Sequence, residues 1–116
     1  KVGIRVSIFV DPLENQIKAC QEAGANLIEI NTGKYAEAQT EEERQANLEE
    51  VRQAVAFACR LGLQVHAGHG LDYHNVQPIV DIKEISELSI GFAIVARAVM
   101  VGLTQAVREM LELLQK

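Results

Sequence analysis

Residues 59–70, CRLGLQVHAGHG, set the order of elements in this chain, and residues 20–33, CQEAGANLIEINTG, repeat their pattern. In each stretch a helix runs out at a glycine, Gly62 or Gly24. A short strand follows and closes on glycine again, at Gly68 and Gly70 or at Gly33. Glycine is favoured just past a helix end because it enters the left-handed region without penalty. The two stretches share few identities but the same succession of helix, glycine, strand and glycine.

The same unit extends outward from both copies. Upstream, Gly3 to Val10 alternates, with Val6, Ile8 and Val10 on one face and Arg5, Ser7 and Phe9 on the other. That period of two predicts a strand. Asp11-Pro12 predicts an N-cap and first helical position, and the helix runs through Ile17 and Cys20 to Gly24. Ala25 to Asn31 is the second strand, with Ile28 and Ile30 opposite Leu27, Glu29 and Asn31, and a loop containing Gly33 follows it. Thr40 and Glu43 form a capping box that starts a long helix with a stripe of Leu48, Val51, Val55 and Cys59. Leu63 to Ala67 is the third strand, and Gly68-His69-Gly70 a tight turn. A short helix is expected over Asn75 to Val80 and a fourth strand over Leu88 to Phe92. Helices from Ala93 to Met100 and Thr104 to Gln115 complete the pattern.

Four βα units in series imply a parallel sheet with right-handed crossovers. One face of each strand is aliphatic. The other is polar: Arg5 and Ser7, Glu29 and Asn31, Gln64 and His66, Ser89 and Gly91. A doubly wound sheet is covered on both faces, so its strands read as continuous apolar runs. These strands do not. A closed (β/α)8 TIM barrel accounts for them better, and four units supply half of one. A small open α/β sheet is the competing architecture. The chain begins at Lys1, without an initiator Met, and enters a strand pattern almost at once, as an excised piece of a longer chain does.

Composition narrows the function classes. The chain has 116 residues, 48% hydrophobic and 23% charged, with 11 Lys plus Arg against 16 Asp plus Glu and a net charge of -5. That acidic balance argues against a nucleic-acid-binding surface, and the apolar fraction argues against disorder. No apolar run reads as a membrane span or signal peptide. Cys20 and Cys59 lack metal-ligand spacing and read as reduced, packed thiols of a cytoplasmic protein.

Two side chains stand out. Glu29 lies mid-strand on the polar face, where a carboxylate is either paired, with Arg5 as the candidate partner, or put to use. His69 sits between two glycines just past the third strand, where an imidazole is placed for proton transfer near neutral pH. The alternating faces predict that both point into one cavity at the C-terminal ends of the strands. His66 and His74 are weaker candidates; His66 and His69 have no evident third ligand, so no metal site is expected. The acidic run at Glu41 to Glu43 reads as a solvated helix face. Glycine turns at Gly68 to Gly70 and at Gly91-Phe92, the second ahead of a helix, suit a phosphate. In complete barrels the loops after the last two strands often bind one.

The stretch VHAGHGLDYHNV, Val65 to Val76, resembles the AGHGL-x-YHNV segment of the pyridoxine 5'-phosphate synthase family. LIEINTG, Leu27 to Gly33, with Tyr35-Ala36 is similar to that family's IEIHTG-x-YA segment. Arg5 to Asp11 and Ile90 to Met100 resemble its VSLFID and IGHAIIGRAVM segments, so the likeness runs along the whole chain in order. The resemblance implies a (β/α)8 barrel of which residues 1–116 are the C-terminal half, supplying the last four βα units. It implies an enzyme that joins 1-deoxy-D-xylulose 5-phosphate to 3-amino-2-oxopropyl phosphate, releasing phosphate and water, with no metal or organic cofactor. By the same resemblance His69 matches the proton donor, Glu29 the glutamate that stabilises the transition state, and Gly70, Gly91 and Phe92 the positions holding the aminoketone phosphate. Phe92 and Asn31 stand where the family commonly carries His. The family's first four strands, with further catalytic and phosphate-binding groups, are absent from this sequence. The partners implied are small phosphorylated substrates, the N-terminal half of the same barrel and further copies in a homo-oligomer. A non-catalytic half-barrel that pairs with itself is the alternative.

Overall fold

The four strands lie in sequence order, β1 to β4, and every neighbouring pair is parallel. The computed structural model describes residues 2–115. Its elements are β1 (Ser7–Val10), α1 (Glu14–Glu22), β2 (Leu27–Asn31), α2 (Gly33–Ala36), α3 (Glu41–Arg60), β3 (Gln64–Gly68), α4 (Gln77–Val80), β4 (Ile85–Ser89), α5 (Phe92–Val101) and α6 (Leu103–Leu113). This is half of a (β/α)8 barrel, an open sheet of four βα units. The molecule measures 44 × 41 × 22 Å, and its radius of gyration of 14.9 Å exceeds the roughly 13 Å of a compact domain this long. A curved slab has that shape.

The repeated junction has a physical basis in two matching helix ends. Ala25 N–H donates to Cys20 O and Gly24 N–H to Gln21 O, with Gly24 at φ +87°. Leu63 N–H donates to Ala58 O and Gly62 N–H to Cys59 O, with Gly62 at φ +78°. Both are Schellman ends, and each turns the chain straight into a strand. At the other end of α3, the Thr40 side chain accepts from Glu43 N–H at 3.1 Å, as the capping pattern predicts. The Glu43 carboxylate reaches back one residue further than expected, to Gln39 N–H.

The outward face of the sheet and the helices share one core. Ile28, Ile30, Val65 and Ala67 pack with Ile17 of α1 and with Val51, Ala54, Val55 and Ala58 of α3. Cys59 is not part of it: the thiol is exposed, while Cys20 is buried. The stripe steps three residues from Val55 to Ala58 rather than four, which rotates Cys59 out. Desolvation of that thiol, and then the Glu84 carboxylate, raise its pKa.

Several element bounds differ from those the sequence predicts. β1 begins at Ser7 rather than Gly3, because its pairing starts where Ser7 meets Leu27. Asp11 does not cap α1, which starts at Glu14; its carboxylate instead accepts from Asn31 Nδ2 at 2.9 Å. The loop at Gly33 is the short helix α2. β4 runs over Ile85–Ser89, three residues before the expected Leu88 to Phe92. Its register shifts between Val65 and His66, so Ser86 has no partner across the ladder and breaks the alternation. Glu87 and Ser89 then face inward, a pattern that does not look like a buried strand. Gly91 lies past the strand and precedes α5.

Among the described residues, β1 and β4 are each paired on one side only. The flanks beyond them are apolar and open, with Val2, Ile4, Val6 and Leu13 exposed near β1. On α5, Val95, Val99 and Met100 are 63%, 81% and 80% exposed. The α5–α6 pair is fastened by Arg97, which donates to Glu109 at 2.8 and 3.2 Å. That hydrogen bond holds the Glu109 carboxyl below the usual range. Among the described residues, no helix is long and apolar enough to cross a membrane. An open sheet edge beside a large apolar patch drives association. In size-exclusion chromatography with light scattering, the chain alone is therefore expected to run as dimers or larger species. Adding the four complementary βα units should yield a single closed-barrel species; a monodisperse monomer that ignores them would contradict this.

Candidate active site

Register builds the site. Phe9, Glu29, His66 and Glu87 stand in one row across the inner face, and Asn31, Gly68 and Ser89 form the next row toward the C-terminal ends. Parallel strands keep such rows level, so side chains far apart in sequence meet at the mouth of the sheet.

Lower in the sheet the polar face satisfies itself. Arg5 donates to the Gln64 side chain, and Gln64 Nε2 donates to Ser86 Oγ at 3.2 Å. His66 Nδ1 lies 3.8 Å from Glu87 Oε1. The pairing of Arg5 with Glu29 that position suggests is therefore not made. Glu29 accepts instead from Ser89 Oγ at 3.0 Å, across β3. Gly68, on the strand between them, makes this reach possible. A Cβ there would stand 2.4 Å from Glu29 Oε1 and 2.9 Å from Ser89 Cβ.

His69 follows in the turn with φ +85°, and among the described residues it alone has a positive φ without being glycine. That conformation costs about 1–3 kcal/mol and persists where neighbours enforce it. Its imidazole packs against Gly33, where a Cβ would meet His69 Cδ2 at 2.9 Å, and its ring centroid is 6.4 Å from that of Phe9. Beyond it, Asn75 Nδ2 donates to Gly70 O at 3.0 Å and the Tyr35 hydroxyl to Asn75 O at 2.6 Å. The Asp72 carboxylate accepts from His74 and Asn75 N–H. Burial of Tyr35 raises its phenol pKa and keeps it a hydrogen-bond donor. Asn31 Oδ1 accepts from Gly33 N–H at 2.9 Å, so this side chain organises the loop rather than standing beside Glu29 as a free polar group.

Glu29, His69, Gly70, Gly91 and Phe92 all line one cleft of ≈ 740 Å³, together with Phe9, Leu71, Asp72, Ser89 and Ala93. The cleft thus gathers the two catalytic candidates, Glu29 and His69, with the three substrate-binding candidates, Gly70, Gly91 and Phe92. No side chain among the described residues caps α5, whose first turn begins at the rim. His66 and His74 lie outside the cleft lining, and His74 faces a separate surface hollow with Tyr35 and Arg44. Ser89 lies outside every quoted motif and Phe9 within the Arg5 to Asp11 segment; period-two alternation places both on this face. The arrangement offers a carboxylate held by a hydroxyl, an imidazole, apolar rings and an uncapped helix start.

Four βα units with a cleft at the C-terminal ends of their strands define a piece of a (β/α)8-barrel protein. Residues 1–116 match the family model described as "Pyridoxal phosphate biosynthesis protein PdxJ", and the chain belongs to that family. It is 50% identical over 114 residues to the pyridoxine 5'-phosphate synthase of Idiomarina loihiensis, covering 98% of this chain and 47% of that protein. It is 53% identical over 114 residues to the synthase of Magnetococcus marinus, with 98% and 47% covered. The Coxiella burnetii synthase is 54% identical over 110 residues, with 95% and 46% covered. The chain spans about half the length of the curated relatives it matches.

The packing of His69 on Gly33 has a direct consequence. Gly33 opens α2, where alanine is a better helix former than glycine. Gly33→Ala is therefore expected to keep the fold by circular dichroism while displacing the imidazole, read as a shift of the His69 Cε1–H NMR signal. An unmoved signal would show that the ring does not depend on that space.

Proposed function

We propose that residues 1–116 are the C-terminal half of a single (β/α)8 barrel that works as a pyridoxine 5'-phosphate synthase. It would join 1-deoxy-D-xylulose 5-phosphate to 3-amino-2-oxopropyl phosphate and release phosphate and water. The observation that carries this reading is the convergence of Glu29 and His69 on one cleft with both glycine turns. Relatives at about half identity that bear the synthase name support it.

The chemistry suits these groups. Condensing an amine with a ketone expels water, and closing the ring expels phosphate, so protons must reach the departing oxygens and leave the reacting carbons. His69 is assigned as the proton donor, since an imidazole exchanges protons near neutral pH. Glu29, fixed by Ser89, is assigned to stabilise positive charge that develops on the condensing nitrogen. Gly70 and the Gly91-Phe92 start of α5 are assigned to the aminoketone phosphate. There the N–H groups of an uncapped helix start favour an anion, and at Phe92 the contact comes from backbone rather than side chain. A phosphate handle on each substrate lets binding energy hold the reacting carbons together.

On this reading the chain needs its N-terminal half to work, and the complete barrel functions in the cytoplasm as a homo-oligomer. The free thiols of Cys20 and Cys59 are in keeping with that compartment. In enzyme assembled from both halves, His69→Ala is expected to slow formation of pyridoxine 5'-phosphate by about a hundredfold or more, the usual scale of a positioned general acid. Phosphate titration of the same assembly should move the amide NMR signals of Gly70 and Gly91. Full activity of the His69→Ala variant would remove the assigned acid, and unmoved amides would remove the assigned phosphate site.

A further inference from the structure

Thr32 is polar, wholly buried and outside the cleft lining. Its N–H donates to Gly68 O at 2.8 Å, and its Oγ1 lies 2.7 Å from both Gly68 O and His69 O. Those two carbonyls belong to the peptide groups on either side of the His69 Cα. One residue of the β2–α2 junction thus grips both peptide planes whose rotation sets φ and ψ of His69. This is the residue held at φ +85°, a conformation that a non-glycine residue does not keep unaided.

We propose that Thr32 is a positioning residue for His69: its hydroxyl locks the left-handed turn that aims the imidazole into the cleft beside Glu29. The hydroxyl has one proton, shared between two carbonyls. Gly68 O keeps the Thr32 N–H bond if the hydroxyl is lost, whereas no other protein donor to His69 O is found among the described residues. Removing the hydroxyl therefore frees the peptide on the His69–Gly70 side. The fold core is spared, because valine fills the same volume. The functional part of this assignment rests on His69 being the proton donor; the geometric part does not.

The test uses enzyme assembled from both halves and compares Thr32→Val and Thr32→Ser with Thr40→Ala, a helix-cap change remote from the cleft. Thr32→Val is expected to lower kcat about tenfold to a hundredfold, the scale of a misplaced catalytic group. KM for both substrates should stay within about threefold. Thr32→Ser should restore most of the rate, and Thr40→Ala should lower thermal stability without this kcat loss. In parallel, the Cε1–H signal of His69 should shift or broaden in Thr32→Val and keep its parental position in Thr32→Ser and Thr40→Ala. If Thr32→Val does not fold, Thr32→Cys, a weak donor of similar size, takes its place. An unperturbed His69 signal in the variant lacking the hydroxyl overturns the clamp whether or not the parent is active. A perturbed signal in an assembly whose parent is inactive upholds the clamp and instead counts against the synthase reading. A perturbed signal with unchanged kcat would overturn the link from the clamp to catalysis.

Discussion

The parallel register of β2, β3 and β4 is the constraint on which the rest of the molecule depends. Asn31 pairs with Gly68 and Gly68 with Ser89, so three strands end at one level and their following turns open onto one surface. A slip of one residue in β3 would turn Val65 and Ala67 inward and His66 outward, because strand side chains alternate with a period of two. The aliphatic face buried against α1 and α3 forbids that slip. Hydrophobic packing on the outside thereby fixes the polar geometry on the inside.

Glycine, as an absence of side chain, gives the cleft its shape. Gly68 vacates the space through which Glu29 reaches Ser89, and Gly33 vacates the space in which the His69 ring lies. Neither position needs glycine for its backbone dihedrals; both need it for volume. Gly70 needs it for both, with φ +73° and a Cβ site 2.6 Å from Ala36 Cβ. The βα turns can therefore pack tightly enough for groups from three strands to meet.

The inner face shows how a polar sheet surface is tolerated. Arg5, Gln64 and Ser86 satisfy one another in its lower part, and His66 faces Glu87. Every buried side-chain nitrogen and oxygen among the described residues has a hydrogen-bond partner. The upper part ends in Glu29, Ser89 and His69, where the cleft leaves room for a ligand. The apolar flanks at β1 and α5 lack such internal partners and match the boundaries at which a full barrel continues.

The sequence by itself determined the alternation of four βα units, the capped start of α3, both glycine helix ends and the placing of Glu29 and His69. Each of these depends on near neighbours: a period of two, a capping spacing, a residue able to take positive φ. The segments at residues 27–33 and 65–76 made the family legible as well. The tertiary structure alone decided the bounds of β4, since the bulge at Ser86 arises from pairing with β3 and disguises the alternation. It decided that Arg5 joins Gln64 and Glu29 joins Ser89, because partners across strands follow from register. It also decided that Cys59 faces out and that Thr32 grips the His69 turn, contacts spanning about half the sheet's sequence that no local pattern announces. Local rules act over a few residues, whereas the site is made by strand register and by side-chain contacts between residues up to 60 positions apart.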